Sequence, residues 1–226
     1  MNYRKQGLRA LGLSILAALG LMAFTAAGAQ ASGTFLVQGL TGEWTATITG
    51  EEDNPLGNEN KFLILNLNVE FYCHDATATG SIKPNGHGTG TITFSDCFAH
   101  GVTSGGALTG EPCELENSIV AKVLALVILH NSKPYVLFSP QEGETFATLN
   151  TEPCPIPSAS VKGFAVVSIS NPDGDDVTKL ISSKGSTTLF SSAQHHLLYG
   201  KNEGHLDADA NIRLAGSHVN LPWGAS

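Results

Sequence analysis

Basic residues are scarce in this 226-residue chain: 12 Lys and Arg stand against 20 Asp and Glu, with eight histidines. Three of the 12, Arg4, Lys5 and Arg9, lie among the first nine residues, and no acidic residue precedes Glu43. Beyond residue 31 the chain therefore keeps nine basic against 20 acidic residues, a net charge of −11 with neutral histidines. Binding to nucleic acid or anionic lipid needs clustered Lys and Arg, so neither is an expected partner. The dispersed acidic charge serves solubility. Aromatic residues are also few, at 7%. A transmembrane β-barrel needs strands of about 10 residues with an apolar lipid face and aromatic girdles. Here several strands present Thr, Ser or charged faces instead, and the last residues are Pro222-Trp223-Gly224-Ala225-Ser226.

Other absences narrow the chemistry. The chain has no CxxC pair and no zinc-type Cys–His spacing. It has no G-x-S-x-G elbow and no HExxH helix. Gly86-x-Gly88-x-Gly90 is glycine-rich but sits inside an expected hairpin, where it opens no helix that could cradle a phosphate. Beyond the first 24 residues the one long apolar run, Ile119 to Leu129, is interrupted by Lys122.

What is present begins with an export signal. A basic start, an apolar stretch from Leu11 to about Phe24 and Ala29-Gln30-Ala31 read as a cleaved secretory signal peptide over residues 1–31. The expected mature chain is a single β-rich domain, 32–226, long enough for one substantial core. No transmembrane segment is expected once the signal is removed. The expected destination is extracellular or periplasmic, with an envelope or extracellular partner.

In that compartment four cysteines imply disulfides. Cys73 and Cys97 lie twelve residues either side of Asn85, in the turn Pro84-Asn85-Gly86. A three-residue loop there opposes Lys83 to His87 and every pair whose numbers add to 170, which sets Cys73 against Cys97. Gly86 then falls where a left-handed residue is required. Thr77, Thr79 and Ser81 share a face with Thr93, Thr91 and Thr89. Cys113 and Cys154 straddle Asn131-Ser132-Lys133-Pro134, read as the turn of a second hairpin whose pairs add to 265. The cysteine numbers add to 267, so the second bridge needs a bulge or a place just outside the ladder. Each bridge is expected to contribute about 2–4 kcal/mol. Glu111-Pro112-Cys113 recurs as Glu152-Pro153-Cys154, a short echo that a shared disulfide loop explains.

The fold class expected is all-β, an antiparallel sandwich or closed barrel of roughly ten strands. Trp44, Ala46 and Ile48 alternate with Thr45, Thr47 and Thr49. Phe62 to Cys73 reads as one strand with Leu63, Leu65, Leu67, Val69 and Phe71 on one face. Ile119 to His130 and Tyr135 to Phe138 read as a hairpin buried on both faces. Val161 to Ser170, Val177 to Ile181 and Thr187 to Phe190 follow. A last strand, His205 to Val219, carries Leu206, Ala208, Ala210, Ile212 and Leu214 on its apolar face.

No catalytic, cofactor or metal-ligating set stands out. His205-x-Asp207-x-Asp209 shares one strand face, but alternate residues about 6.6–6.8 Å apart cannot chelate one ion unaided; with His195 and His196 nearby a surface metal site is conceivable. Asn171-Pro172-Asp173-Gly174-Asp175-Asp176 clusters oxygen ligands without EF-hand spacing and reads as a turn. Glu51, Glu52, Asp53 and Glu59 read as a solvated loop. The leading functional reading is binding, or an envelope role, without catalysis. The alternatives are a metal- or carbohydrate-binding module, and a carrier whose barrel interior, lined by Leu63, Leu65, Leu67, Val123 and Val127, holds an apolar molecule. A carrier would need a cavity of about 300 Å³ or more. A hydrolase is the reading with least support.

Overall fold

The computed structural model describes residues 33–52, 60–102, 108–169, 177–182 and 196–226. Fourteen strands occur among them: β1 Phe35–Val37, β2 Ala46–Glu52, β3 Asn60–Ile64, β4 Val69–Ile82, β5 His87–Val102, β6 Leu108–Glu114, β7 Ile119–His130, β8 Lys133–Pro140, β9 Thr145–Leu149, β10 Ala159–Ile169, β11 Val177–Ser182, β12 His196–Tyr199, β13 Asn202–Ala215 and β14 Trp223–Ala225. The expected Thr187–Phe190 strand lies outside the described residues.

Of the two all-β architectures expected, the chain adopts the barrel. Antiparallel ladders run β2–β4–β5–β7–β8–β10–β11–β13 and return to β2, closing eight strands on themselves. Toward the other end three short strands take over from three others. β3 replaces β2 between β4 and β13, β9 replaces β8 between β7 and β10, and β12 replaces β11 between β10 and β13. The longest strands thus span both levels. Closure leaves no long exposed edge, the usual route to aggregation.

The β4–β5 hairpin holds the register expected of it. Cys73 opposes Cys97, Ala76 opposes Phe94, Ala78 opposes Ile92, and the same alignment extends to Val69 against Gly101. Lys83 N donates to His87 O at 2.9 Å, and Gly86 takes φ 76°. A side chain at Gly86 would also place its Cβ 2.2 Å from Gly33 O. The inward face changes parity midway: Phe71 and Cys73 point in, as do Ala76 and Ile82, with His74 and Asp75 exposed between them. The partner strand makes the same change at Asp96, whose φ is 52°. Because each strand inserts one residue, the register survives.

Several expectations need correction. The last strand, expected over His205 to Val219, runs Asn202–Ala215 and gives way to a 3-10 turn at Gly216–His218, and Glu51 and Glu52, expected in a solvated loop, end β2. Phe62 to Cys73 is not one strand: β3 ends at Ile64, a 3-10 turn covers Leu65–Leu67, and Asn68 at φ 52° reverses the chain into β4. The second hairpin turns on two residues, Asn131 and Ser132, both at positive φ, so His130 opposes Lys133. It is buried on one face along its first half, since Val120 and Leu124 are 43% and 42% exposed. Ile128, Tyr135 and Val166 do form a small buried cluster on the outer side.

Both disulfides form, but only the first staples a hairpin. Cys113 sits in β6 and Cys154 in the loop between β9 and β10. There the lower half of β5 pairs with β6, while β7 starts only at Ile119 and touches β9 through one pair, Ala121 with Ala147. The Cys113–Cys154 bridge spans this seam, helped by Glu116 N donating to Glu152 O at 3.4 Å. The Glu-Pro-Cys echo marks the two halves of one bridge. Tyr199 at the end of β12 is bolted to the same loop, its hydroxyl donating to Pro157 O. The opposite mouth is covered by a two-stranded ribbon of β1 and β14, whose Phe35, Val37, Trp223 and Ala225 pack on Ile82, Val127 and Leu214. Trp223 Nε1 donates to Ile212 O at 3.1 Å.

Replacing both cysteines of either pair by serine is expected to cost about 3–4 kcal/mol in denaturant unfolding, given loops of 24 and 41 residues. Only loss of Cys113–Cys154 should raise amide exchange across residues 108–116 and 150–158; equal exchange in both variants would contradict the seam. Burial pushes the Tyr199 phenol above its ordinary 10. A folded-state value above the unfolded one means stability present below pH 10 and lost as pH rises through the folded value. Alkaline melts should show this loss, and Tyr199→Phe should flatten it.

Candidate functional site

The sheet formed by β13, β3, β4 and β5 gathers polar and aromatic side chains on its outer face. Opposed residues in an antiparallel ladder share a face, with Cβ atoms about 4.5–5.5 Å apart. One row therefore reads His205, Leu63, Glu70, His100, and the next Asp207, Lys61, Tyr72, Phe98. On the inner side Phe62, Ile64 and Phe71 pack with the Cys73–Cys97 bridge.

The rings of this face are stacked. Tyr72 lies 4.9 Å from His100 and 5.3 Å from Phe98, both near parallel, and His74 leans on Phe98 at 5.1 Å. His74 Nδ1 donates to Asp96 Oδ2 at 2.6 Å, closing the outer side of the parity change. The first row is unusual in its hydrogen bonding. Glu70 and His100 are only 9% and 7% exposed, yet Glu70 Oε1 and His100 Nδ1 have no hydrogen-bond partner. Lys61 Nζ approaches Glu70 Oε1 at 3.6 Å, an ion pair too long for a hydrogen bond. His205 Nδ1, half-buried two strands away, is likewise unpartnered. An unmet buried polar atom costs about 1–3 kcal/mol, so the two histidine nitrogens of this row need a reason.

The residues singled out from sequence are distributed as follows. His205 and Asp207 do share an outer face, opposed to Leu63 and Lys61; the Asp209 side chain, His195 and the 171–176 turn lie outside what is described, as do residues 53–59. Among the described residues no group of three His, Cys, Asp or Glu is placed to hold a metal ion. His130 packs edge-on against Tyr135, and His218 lies beside Ser217. Thr47, Thr49, Thr77, Thr79, Thr89 and Thr91 share one hydroxyl-rich face on β2, β4 and β5.

The lumen differs from the expected one. Leu63 stands on the outer face and Leu67 is 40% exposed, while Val123 and Val127 are buried. Two apolar cavities remain inside, of about 110 and 60 Å³, well short of the ~300 Å³ of a usual ligand site. No protein-family model, curated protein or solved structure matches this chain.

His100→Phe tests whether the row is built at a cost to stability. It keeps the stack on Tyr72 and removes one unmet nitrogen, so the variant is expected to be more stable by about 1 kcal/mol. A destabilised His100→Phe would mean that the imidazole nitrogen is already satisfied.

Proposed function

We propose that this is an exported, non-catalytic binding protein that engages its partner through the outer face of β13, β3, β4 and β5, and that the partner is a neutral saccharide. The observation that carries this is the row Glu70, His100 and His205 on one outer face, in which both histidine Nδ1 atoms lack a hydrogen-bond partner and Glu70 meets Lys61 at 3.6 Å. A polyhydroxylated ligand supplies donors and acceptors to the polar groups at the surface of this face, the exposed His74 and Asp96 among them. The neighbouring Tyr72–Phe98–His74 stack offers ring edges and faces against which apolar C–H surfaces pack. The acidic surface works against a polyanion, which favours an uncharged polymer. Two disulfides fit an oxidising compartment, and no helix among the described residues is long and apolar enough to cross a membrane. Among the described residues no corresponding group of ligands supports the metal-module reading.

Binding is measured as retention of the disulfide-intact 32–226 chain on insoluble chitin, β-glucan and peptidoglycan. Retention is expected on at least one of these. It should fall tenfold or more in a Glu70→Gln, His100→Ala double variant and stay unchanged in Thr49→Ala, Thr79→Ala. Absence of retention on all three polymers, or equal loss in both double variants, would reject the proposal.

A further inference from the structure

The lumen holds one more polar atom without a partner, and it faces the cavities. Asn60 opens β3 at the level where β3 takes over from β2, and its ladder partner is Cys73. Its side chain is 5% exposed, its Nδ2 has no hydrogen-bond partner, and the residue lines both interior cavities. The other side chains that point into the larger cavity are apolar, among them Ile92, Phe94, Val123, Phe138 and Ile212. Its volume comes from small inward-facing residues: Ala78, Gly90, Ala165 and Ala210 sit where larger side chains would fill the barrel. The bordering threonines stand on the outer face, and the backbone between them is paired in the β2–β4 and β4–β5 ladders.

A water molecule suits this site poorly. An ordered internal water makes about three hydrogen bonds, whereas Asn60 Nδ2 is the single polar group offered by an otherwise apolar space. Dry apolar cavities near this size take single-ring molecules; one of about 150 Å³ admits benzene. We infer that the barrel lumen binds a small apolar molecule carrying one oxygen acceptor, its body in the Ile92–Val123–Phe138 cavity and its oxygen on Asn60 Nδ2. The ligand class is thus a compact ketone, aldehyde or ether of about five or six heavy atoms. This site is independent of the outer-face proposal, and it is smaller than the carrier cavity expected from sequence. The β1–β14 ribbon covers one mouth, and a ligand enters through local opening of the barrel.

The matched probes are cyclopentanone and cyclopentane, alike in shape but differing in the acceptor. Each is titrated into the disulfide-intact chain while the methyl resonances of Ile92 and Val123 are followed by NMR. Saturable shifts of those methyls with both probes are expected in the native chain. Asn60→Leu removes an unpaired donor at nearly constant volume and should therefore fold; Asn60→Ala is the second variant. In either, the affinity ratio of ketone to hydrocarbon is expected to fall about fivefold, the size of one neutral hydrogen bond. An unchanged ratio overturns the role of Asn60 and with it the ligand class. The absence of saturable shifts with either probe overturns the site itself.

Discussion

The β4–β5 hairpin is the constraint on which the barrel depends. Its two strands are 14 and 16 residues long and keep one register from Val69–Gly101 to Ile82–Gly88. Four other strands take their alignment from it: β2 and β3 on the β4 side, β6 and β7 on the β5 side. A slip of one residue would turn every inward side chain outward. Two features oppose such a slip. The Pro84-Asn85-Gly86 turn needs a left-handed residue at Gly86 and closes through Lys83 N to His87 O, while the Cys73–Cys97 bridge locks the same register ten residues away.

From that hairpin the rest follows by closure. Eight strands suffice to fill a barrel with side chains or to leave room for one small ligand, and this one is near the first limit. The β1–β14 ribbon covers one mouth, and toward the other end Cys154 and Ile156 of the disulfide loop pack on the core. The two disulfides therefore act differently. The first fixes pairing where a ladder already exists; the second holds a seam where, among the described residues, the ladder between β6 and β9 is missing. Removing either affects stability, but only the second changes which backbone groups water can reach.

How much of this is legible in the sequence follows from how local each determinant is. The hairpin register was readable because turn, cysteines and threonine face sit within 25 residues and agree. The alternating face of β13, with Leu206, Ala210 and Ile212 toward the lumen, was readable for the same reason. Leu63-Ile64-Leu65-Asn66-Leu67-Asn68 misled because a period-two pattern persists through a 3-10 turn, and the reversal at Asn68 carries no glycine to announce it. The turn at Asn131 was expected, but its two-residue length was not, because both of its residues take positive φ without being glycine. β6 contains Gly110 and Pro112, and β9 has five residues, so neither stood out. The Glu70–His100–His205 row is non-local by nature: it exists only once β13, β3, β4 and β5 lie side by side, and no spacing along the chain encodes that order.

The unpartnered atoms gain meaning from the scaffold that carries them. A marginal fold would relax around Glu70, His100 or Asn60, letting water in or rotating the side chain to a partner. Here Glu70 and His100 stand on the strands that the Cys73–Cys97 bridge ties together, and Asn60 is the ladder neighbour of Cys73 itself. Cross-linked strands relax little, so the cost of an unmet polar atom persists in the free protein, and the proposed ligands would recover it. That is the physical content of preorganisation: the rigid frame supplies stability in excess, and part of it is held as unmet hydrogen-bonding capacity at chosen positions. On the two proposals above, the placement of such atoms beside the hairpin staple, one set on the outer face and one in the lumen, connects the disulfides to binding.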